Sequence, residues 1–258
     1  KKKPSASYDP AVQRPALRCS ICTGEQVAGF VHPDGHFEDV QLIRTPQELA
    51  AFRTRYGIDV SSFQGEIDWD AVADDNIDFA MVRVGFRGTG TGSLNTDKYY
   101  EQNIRGAMRA GLETGVYFFA QAVTVEEAIE EADYVISLLD GLDINGPVAY
   151  DWEMHDSTYR VYGTSPEMAT ACAVAFCKRI KDAGYTPMVY GGTYVTYMKY
   201  DQGALADYLS WYPEYKSEKS EKLCPTLVYH MDYWQFSSSR TVAGINGRVD
   251  MNIQFIRR

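Results

Sequence analysis

The chain has 258 residues, 45% hydrophobic and 23% charged, enough apolar material for one α/β domain with a small addition, and this excludes a disordered chain. The formal net charge is −10 and the basic residues cluster only at Lys1 to Lys3, so no surface is offered to nucleic acid or anionic lipid. No apolar run reaches the roughly 18 residues of a membrane span, and the 19 tyrosines exceed what a packed core uses without stranding hydroxyls, so many belong at surfaces or in a cleft.

Read from the start, "KKKPSAS" looks like the stub of a linker. A signal peptide or anchor is expected to have been trimmed from it, which makes a secreted or cell-surface location the expectation. Residues 1–55 read as a linker and small accessory segment, separate from the domain that follows at 56–258. Within it, "CTGEQVAGFVHPDGHFEDVQLI" predicts a β-hairpin turning at Pro33, Asp34 and Gly35, and "TPQELAAFRTRYG" a short helix capped by Thr45 and Glu48. Cys19 and Cys22 form C-x-x-C, followed by His32 and His36. A local disulfide, a zinc site with shorter spacing than the usual finger, and free thiols are all open.

From Tyr56 onward, short β-branched or aromatic runs alternate with amphipathic stretches, the pattern of βα units around a parallel sheet. The expected strands are 57–61, 79–85, 115–120, 148–154, 187–191, 208–211, 231–236 and 250–255. The expected helices are 69–75, 97–110, 125–139 and 166–183, the last with Thr164 and Glu167 as a capping box. Eight strands with fewer helices toward the C-terminus predict an irregular, flattened β/α barrel. A doubly wound sheet is the alternative, but no Gly-rich phosphate turn follows the first strand, and "GFRGTGTGS" after the second reads as a loop. Cys172 and Cys177 read as core residues, and Cys224 lies in a loop before a proline.

One stretch carries chemistry. "VAYDWEMH" (148–155) places Asp151 and Glu153 two residues apart, and in a strand such residues share one face, with Cα atoms roughly 6.5 to 7 Å apart. On a barrel, catalytic groups come from the C-terminal ends of several strands. Asp59 on the first strand, Asp151 and Glu153 on the fourth and Asp250 at the last would then converge at one mouth. Four acids sharing a site push at least one pKa upward, and a protonated carboxyl beside an ionised one is what glycoside cleavage requires.

Taken together, "GIDVSSFQGEIDW" (57–69), "DKYYEQNIRGAMRAGLETGVYFFAQA" (97–122), "VAYDWEM" (148–154), "MVYGG" (188–192), "YWQFSS" (233–238) and "GRVDMN" (247–252) resemble glycoside hydrolase family 25, the muramidase-type lysozymes. The resemblance spans 56–258 and leaves the first 55 residues outside. It implies hydrolysis of the β-1,4 bond between N-acetylmuramic acid and N-acetylglucosamine in peptidoglycan by a monomer with no metal or cofactor. It implies Glu153 as proton donor, Asp151 as its paired acid, Asp59 and Asp250 as the further acids, and Tyr190, Trp234 and Tyr117 as lining of the sugar groove. "YFF" at 117–119 stands where many members carry Tyr-His-Phe, so a hydrogen bond from that His is absent. Retention of configuration is expected, through an aspartate nucleophile or, as favoured here, the substrate's own acetamido oxygen. Two other readings stand beside this one: a cell-wall glycan-binding module that has lost activity, and a glycosidase acting on another acetamido polymer such as chitin.

Overall fold

Strand and helix periods alternate along the chain as the sequence predicts, and in the computed structural model they close into a barrel. The structure describes residues 14–20, 25–32, 34, 36–43, 54–215, 227 and 229–255. Eight strands form the barrel: β4 (Thr54–Val60), β5 (Phe79–Arg87), β7 (Glu113–Ala120), β8 (Val148–Trp152), β9 (Pro187–Tyr190), β10 (Leu209–Pro213), β11 (Tyr233–Arg240) and β12 (Val249–Phe255). Neighbours from β4 through β11 pair in parallel, while β12 runs antiparallel to both β11 and β4 and closes the ring. A short strand, β6 (Leu94–Thr96), pairs with the end of β5 outside the ring.

The helices are α1 (Trp69–Asp74), α2 (Tyr100–Arg109), α3 (Val125–Leu138), α4 (Pro166–Asp182) and α5 (Thr193–Met198). Four match the expected helices to within a few residues. At α4 the cap is Ser165 rather than Thr164: its hydroxyl accepts from Met168 N, and Pro166 occupies the first turn, where its missing N–H costs nothing. α5 and β6 were not expected, being too short to show a period. Among the described residues no helix is long and apolar enough to cross a membrane.

Along every barrel strand, alternate residues face in and out. Outward residues such as Ile58, Val82, Val116, Phe118, Tyr150 and Trp152 meet the helices in the main core. Inward residues Phe79, Met81, Ala149, Met188, Trp211 and Tyr233 fill the lower barrel. Gly57 belongs to this inner layer because a Cβ there would stand 2.4 Å from the Phe79 ring.

The expected hairpin is present as β2 (Gln26–Val31) paired antiparallel with β3 (Phe37–Ile43), and β1 (Arg14–Cys19) adds a third strand. This small sheet packs where no helix among the described residues covers the barrel: Ala28 is buried against Trp234 of β11 and Ile253 of β12. The helix expected after Thr45 lies outside the described residues, as does Cys224. β4 begins at Thr54, just ahead of the expected domain start at 56.

Candidate active site

The β4–β12 pairing places Asp59 directly opposite Asp250, and both side chains turn into the barrel mouth. Asp59 is buried, and its Oδ2 accepts 2.8 Å hydrogen bonds from Asn252 Nδ2 and Gln235 Nε2. Gln235 Nε2 also reaches Asp250 Oδ2 at 3.3 Å. The amide orientation of Gln235 is fixed from behind, because its Oε1 accepts from the hydroxyls of Tyr190 (3.2 Å) and Tyr215 (3.0 Å). Trp211 Nε1 anchors Asn252 in the same way, donating to Oδ1 at 2.8 Å. Burial first, and the Asp250 charge second, push Asp59 up to about 8; burial raises Asp250 to about 6. Near neutral pH this deep pair therefore holds one proton between two carboxyls, with Asp250 the more ionised member.

The second pair sits across the mouth, Asp151 on β8 and Glu153 just past its end. Asp151 lies in register with Phe119 of β7 and Tyr190 of β9, and is buried. β8 ends at Trp152, so Glu153 stands one residue past the strand rather than inside it as the expected range 148–154 had it. Its position is still fixed, since its backbone carbonyl accepts from Gln121 Nε2 at 2.8 Å. Gln121 is held in turn by Glu131, which accepts from its backbone N–H at 3.0 Å and pairs with Arg87 at 2.7 Å deep under α3. The Glu153 carboxyl points outward enough to meet His155, Oε2 to Nε2 2.6 Å. Burial first, then the Glu153 carboxylate and a hydrogen bond with it, hold the Asp151 carboxyl well above the usual range. Asp151 Oδ1 is buried and has no hydrogen-bond partner among the described residues.

Tyr117 and Tyr190 both stand in this mouth, their rings edge-on to Trp211 at 5.9 and 4.9 Å. Tyr117 is kept protonated by burial first and then by the Asp59 charge. Trp234 is a correction: it does not line the mouth. It falls on the outward phase of β11, buried under Ala28 with its Nε1 donating to Glu214 O at 3.0 Å, and the inward neighbour is Gln235. Sequence reasoning thus brought six of seven residues to one place and missed Gln235, Asn252, Trp211, Tyr215 and His155. Gln235 and Asn252 lay inside the quoted blocks "YWQFSS" and "GRVDMN", two residues from Tyr233 and Asp250, and the strand period would have found them.

Elsewhere, Cys172 and Cys177 are free and buried, as expected of core residues. Cys22 and the side chain of Cys19 lie outside the described residues. His32 and His36 stand with ring centroids 5.8 Å apart, and among the described residues no three metal-binding side chains cluster.

A model of glycosyl hydrolases family 25 matches residues 58–245. An autolytic lysozyme of Clostridium acetobutylicum is 26% identical over 197 residues, covering 76% of this chain and 54% of that protein. Lysozyme M1 of Streptomyces globisporus is 27% identical over 201 residues, covering 76% and 66%. The chain thus spans about half to two thirds of these relatives' lengths. Among solved structures, the modular autolysin LytC of Streptococcus pneumoniae, solved with a synthetic peptidoglycan ligand, superposes with a TM-score of 0.66 at 22% identity, over 91% of this chain and 57% of that one. That likeness speaks to fold. The family match, covering well over half the chain and ending just short of Asp250, decides the classification: this chain belongs to family 25 of the glycosyl hydrolases.

Proposed function

We propose that this chain hydrolyses the β-1,4 bond between N-acetylmuramic acid and N-acetylglucosamine in peptidoglycan, with Glu153 as general acid and with retention through the substrate's acetamido group. The observation that carries the mechanism is the orphaned, buried Asp151 Oδ1 beside Glu153. A buried acceptor without a donor is costly, and an acetamide N–H at the cleaved sugar supplies the missing donor. The lysozyme names of the relatives and the peptidoglycan ligand of the autolysin support the choice of polymer.

In the free site, burial, the neighbouring Glu153 charge and a hydrogen bond with Glu153 keep the proton on Asp151. When substrate donates its N–H to Asp151, the ionised form of Asp151 is favoured and the proton shifts to Glu153, where it faces the glycosidic oxygen. Glu153 then protonates that oxygen as the C1–O bond breaks, its electron pair leaving with the oxygen. The acetamido carbonyl oxygen bonds to C1 from the opposite face, giving an oxazolinium whose positive charge is stabilised by Asp151 and, more remotely, by the Asp250 carboxylate. A water entering where the leaving sugar stood gives a proton to Glu153 and opens the ring, restoring the original configuration. Chemistry belongs to 56–258; within the first 55 residues the three-stranded sheet acts as an accessory that covers the barrel flank at Trp234 and Ile253. The target lies in a cell wall, outside the membrane.

Release of reducing ends from purified peptidoglycan and from chitin, followed in parallel, tests the proposal. Cleavage of peptidoglycan with muramic acid at the new reducing end is the expected result. New N-acetylglucosamine reducing ends, equal rates on chitin, or no cleavage of either polymer would overturn it.

A further inference from the structure

Next to the acids, on the same end of the barrel, lies a cavity of about 670 Å³ lined by Ser62 to Glu66, Lys98, Tyr99 and Asn246. Its position follows from the topology. The segment at 62–66 leaves the end of β4 just after Asp59, and Asn246 precedes β12 by a few residues before Asp250. Four residues of extended chain reach at most about 14 Å, so Phe63 stands within that distance of Asp59.

The shelf is built and held. Ser61 and Gln64 form a reciprocal capping box around the 3-10 turn at Ser62–Gln64, and Gln64 Nε2 ties that turn to Arg248 O at 3.4 Å. Asp97, fully buried, accepts from Ser62 N at 3.0 Å, Tyr99 N at 3.0 Å and the Arg83 guanidinium at 2.8 Å, joining both walls to the barrel. Arg83 also lies under the Phe63 ring, 5.0 Å from its centroid, and its charge reaches Asp151 and Tyr117, so one side chain links shelf and acids.

Phe63 is 84% exposed. An anchored phenyl ring held out in water makes physical sense as a contact surface. Beside it are a second ring, Tyr99, and two amide side chains, Gln64 and Asn246. Rings accept the C–H face of a pyranose and amides pair with hydroxyl and acetamido groups. The two charged groups at the rim, Lys98 and Glu66, are of opposite sign, and Lys98 Nζ is already turned onto Tyr99, 3.1 Å from its hydroxyl. The lining therefore favours the uncharged glycan backbone over a charged peptide stem.

We propose that Phe63, Gln64, Tyr99 and Asn246 form a glycan subsite that grips N-acetylated sugars of the strand beyond the pair being cleaved. The identity of the polymer rests on the hydrolase reading; the subsite itself rests on the shelf. Its consequence is that longer strands are better substrates.

The test uses peptide-free glycan oligomers of four to ten sugars with the whole chain and its Phe63→Ala and Phe63→Trp variants, each checked for a wild-type melt. The reading is the ratio of kcat/KM for the longest over the shortest oligomer. Phe63→Ala should reduce that ratio roughly 3- to 10-fold, and Phe63→Trp should preserve it. Calorimetric binding of the same oligomers to the Glu153→Gln chain, with and without Phe63→Ala, gives the same reading without turnover. It thus separates failure of the shelf from failure of the hydrolase reading. An unchanged ratio and unchanged affinities in Phe63→Ala would overturn the subsite. With stem-bearing strands of the same lengths measured alongside, a loss confined to them would overturn it as well, because the occupant would then be peptide.

Discussion

Two acid pairs share the barrel mouth and are treated oppositely by their surroundings. The Asp59–Asp250 pair is clamped by amides whose own orientation is locked by Tyr190, Tyr215 and Trp211. The Asp151–Glu153 pair has one buried oxygen with no donor and one carboxyl on an outward-facing, half-buried stem beside His155. The first pair is a finished network; the second is incomplete until something binds. A finished network stores fixed charge, whereas an incomplete one can exchange a proton with a ligand, and this difference is what the proposed role of Asp151 and Glu153 draws on.

The largest effect that sharpens this contrast should come from β8 itself. Glu153→Gln keeps shape but removes the transferable proton, so turnover of natural glycan should fall roughly 10²- to 10⁴-fold, with a much smaller loss on a substrate carrying a good leaving group. Asp151→Asn should lose rate on both substrates, because orientation and charge stabilisation are needed whatever the leaving group. Equal leaving-group dependence in the two variants would break the division of labour.

Gln235→Leu attacks the finished pair. It strips Asp59 of one of its two donors and leaves two tyrosine hydroxyls without their acceptor, at about 1–3 kcal/mol for each buried group stranded. Thermal unfolding should move down by several degrees, and kcat should fall about tenfold. A variant with wild-type melting would show that the clamp is not structural.

The same pair gives a pH signature. Asp59 sits at about 8 and Asp250 at about 6 in the fold, against about 4 for an unfolded aspartate, so the folded chain binds more protons than the unfolded one between those values. The contribution of these groups to stability is complete below about pH 4 and is lost as pH rises toward 8. Asp59→Asn should flatten this dependence and raise the melting temperature at pH 8 by a few degrees. A steeper slope in the variant would contradict the assignment. The smallest effect should come from His155→Ala, because the imidazole is largely exposed and its contact with Glu153 lies open to water. A change of about two- to fivefold in kcat/KM is expected, and a hundredfold loss would move His155 into the chemistry itself.

Much of this was legible in the sequence because strands announce themselves by a period of two. The eight barrel strands and the inward acids on β4, β8 and β12 follow from it. What failed was direction at one position. A motif gives Trp234 its identity but not its face, and the sheet that buries it is made of residues 26–43, two hundred positions away. The support behind Glu153 was invisible for a related reason: Gln121, Glu131 and Arg87 are joined only through packing, and no local pattern distinguishes a buried Glu131 from the other acids of α3. Short elements such as α5 and β6 carry too few residues to display a period at all.

The antiparallel closing strand has a consequence for the order in which the enzyme comes into being. Chains leave the ribosome N-terminus first, and a nascent chain that has emerged only through β11 holds seven parallel strands with an open edge on either side of a gap. Asp59 then faces empty space, lacking both Asn252 and its partner Asp250, which lies 191 positions later in sequence. Closing so distant a contact is slow. A family 25 hydrolase assembled this way acquires its complete mouth only in the last moments of folding, so a chain still being made, or cut short before β12, carries Asp151 and Glu153 in a barrel whose mouth is still open.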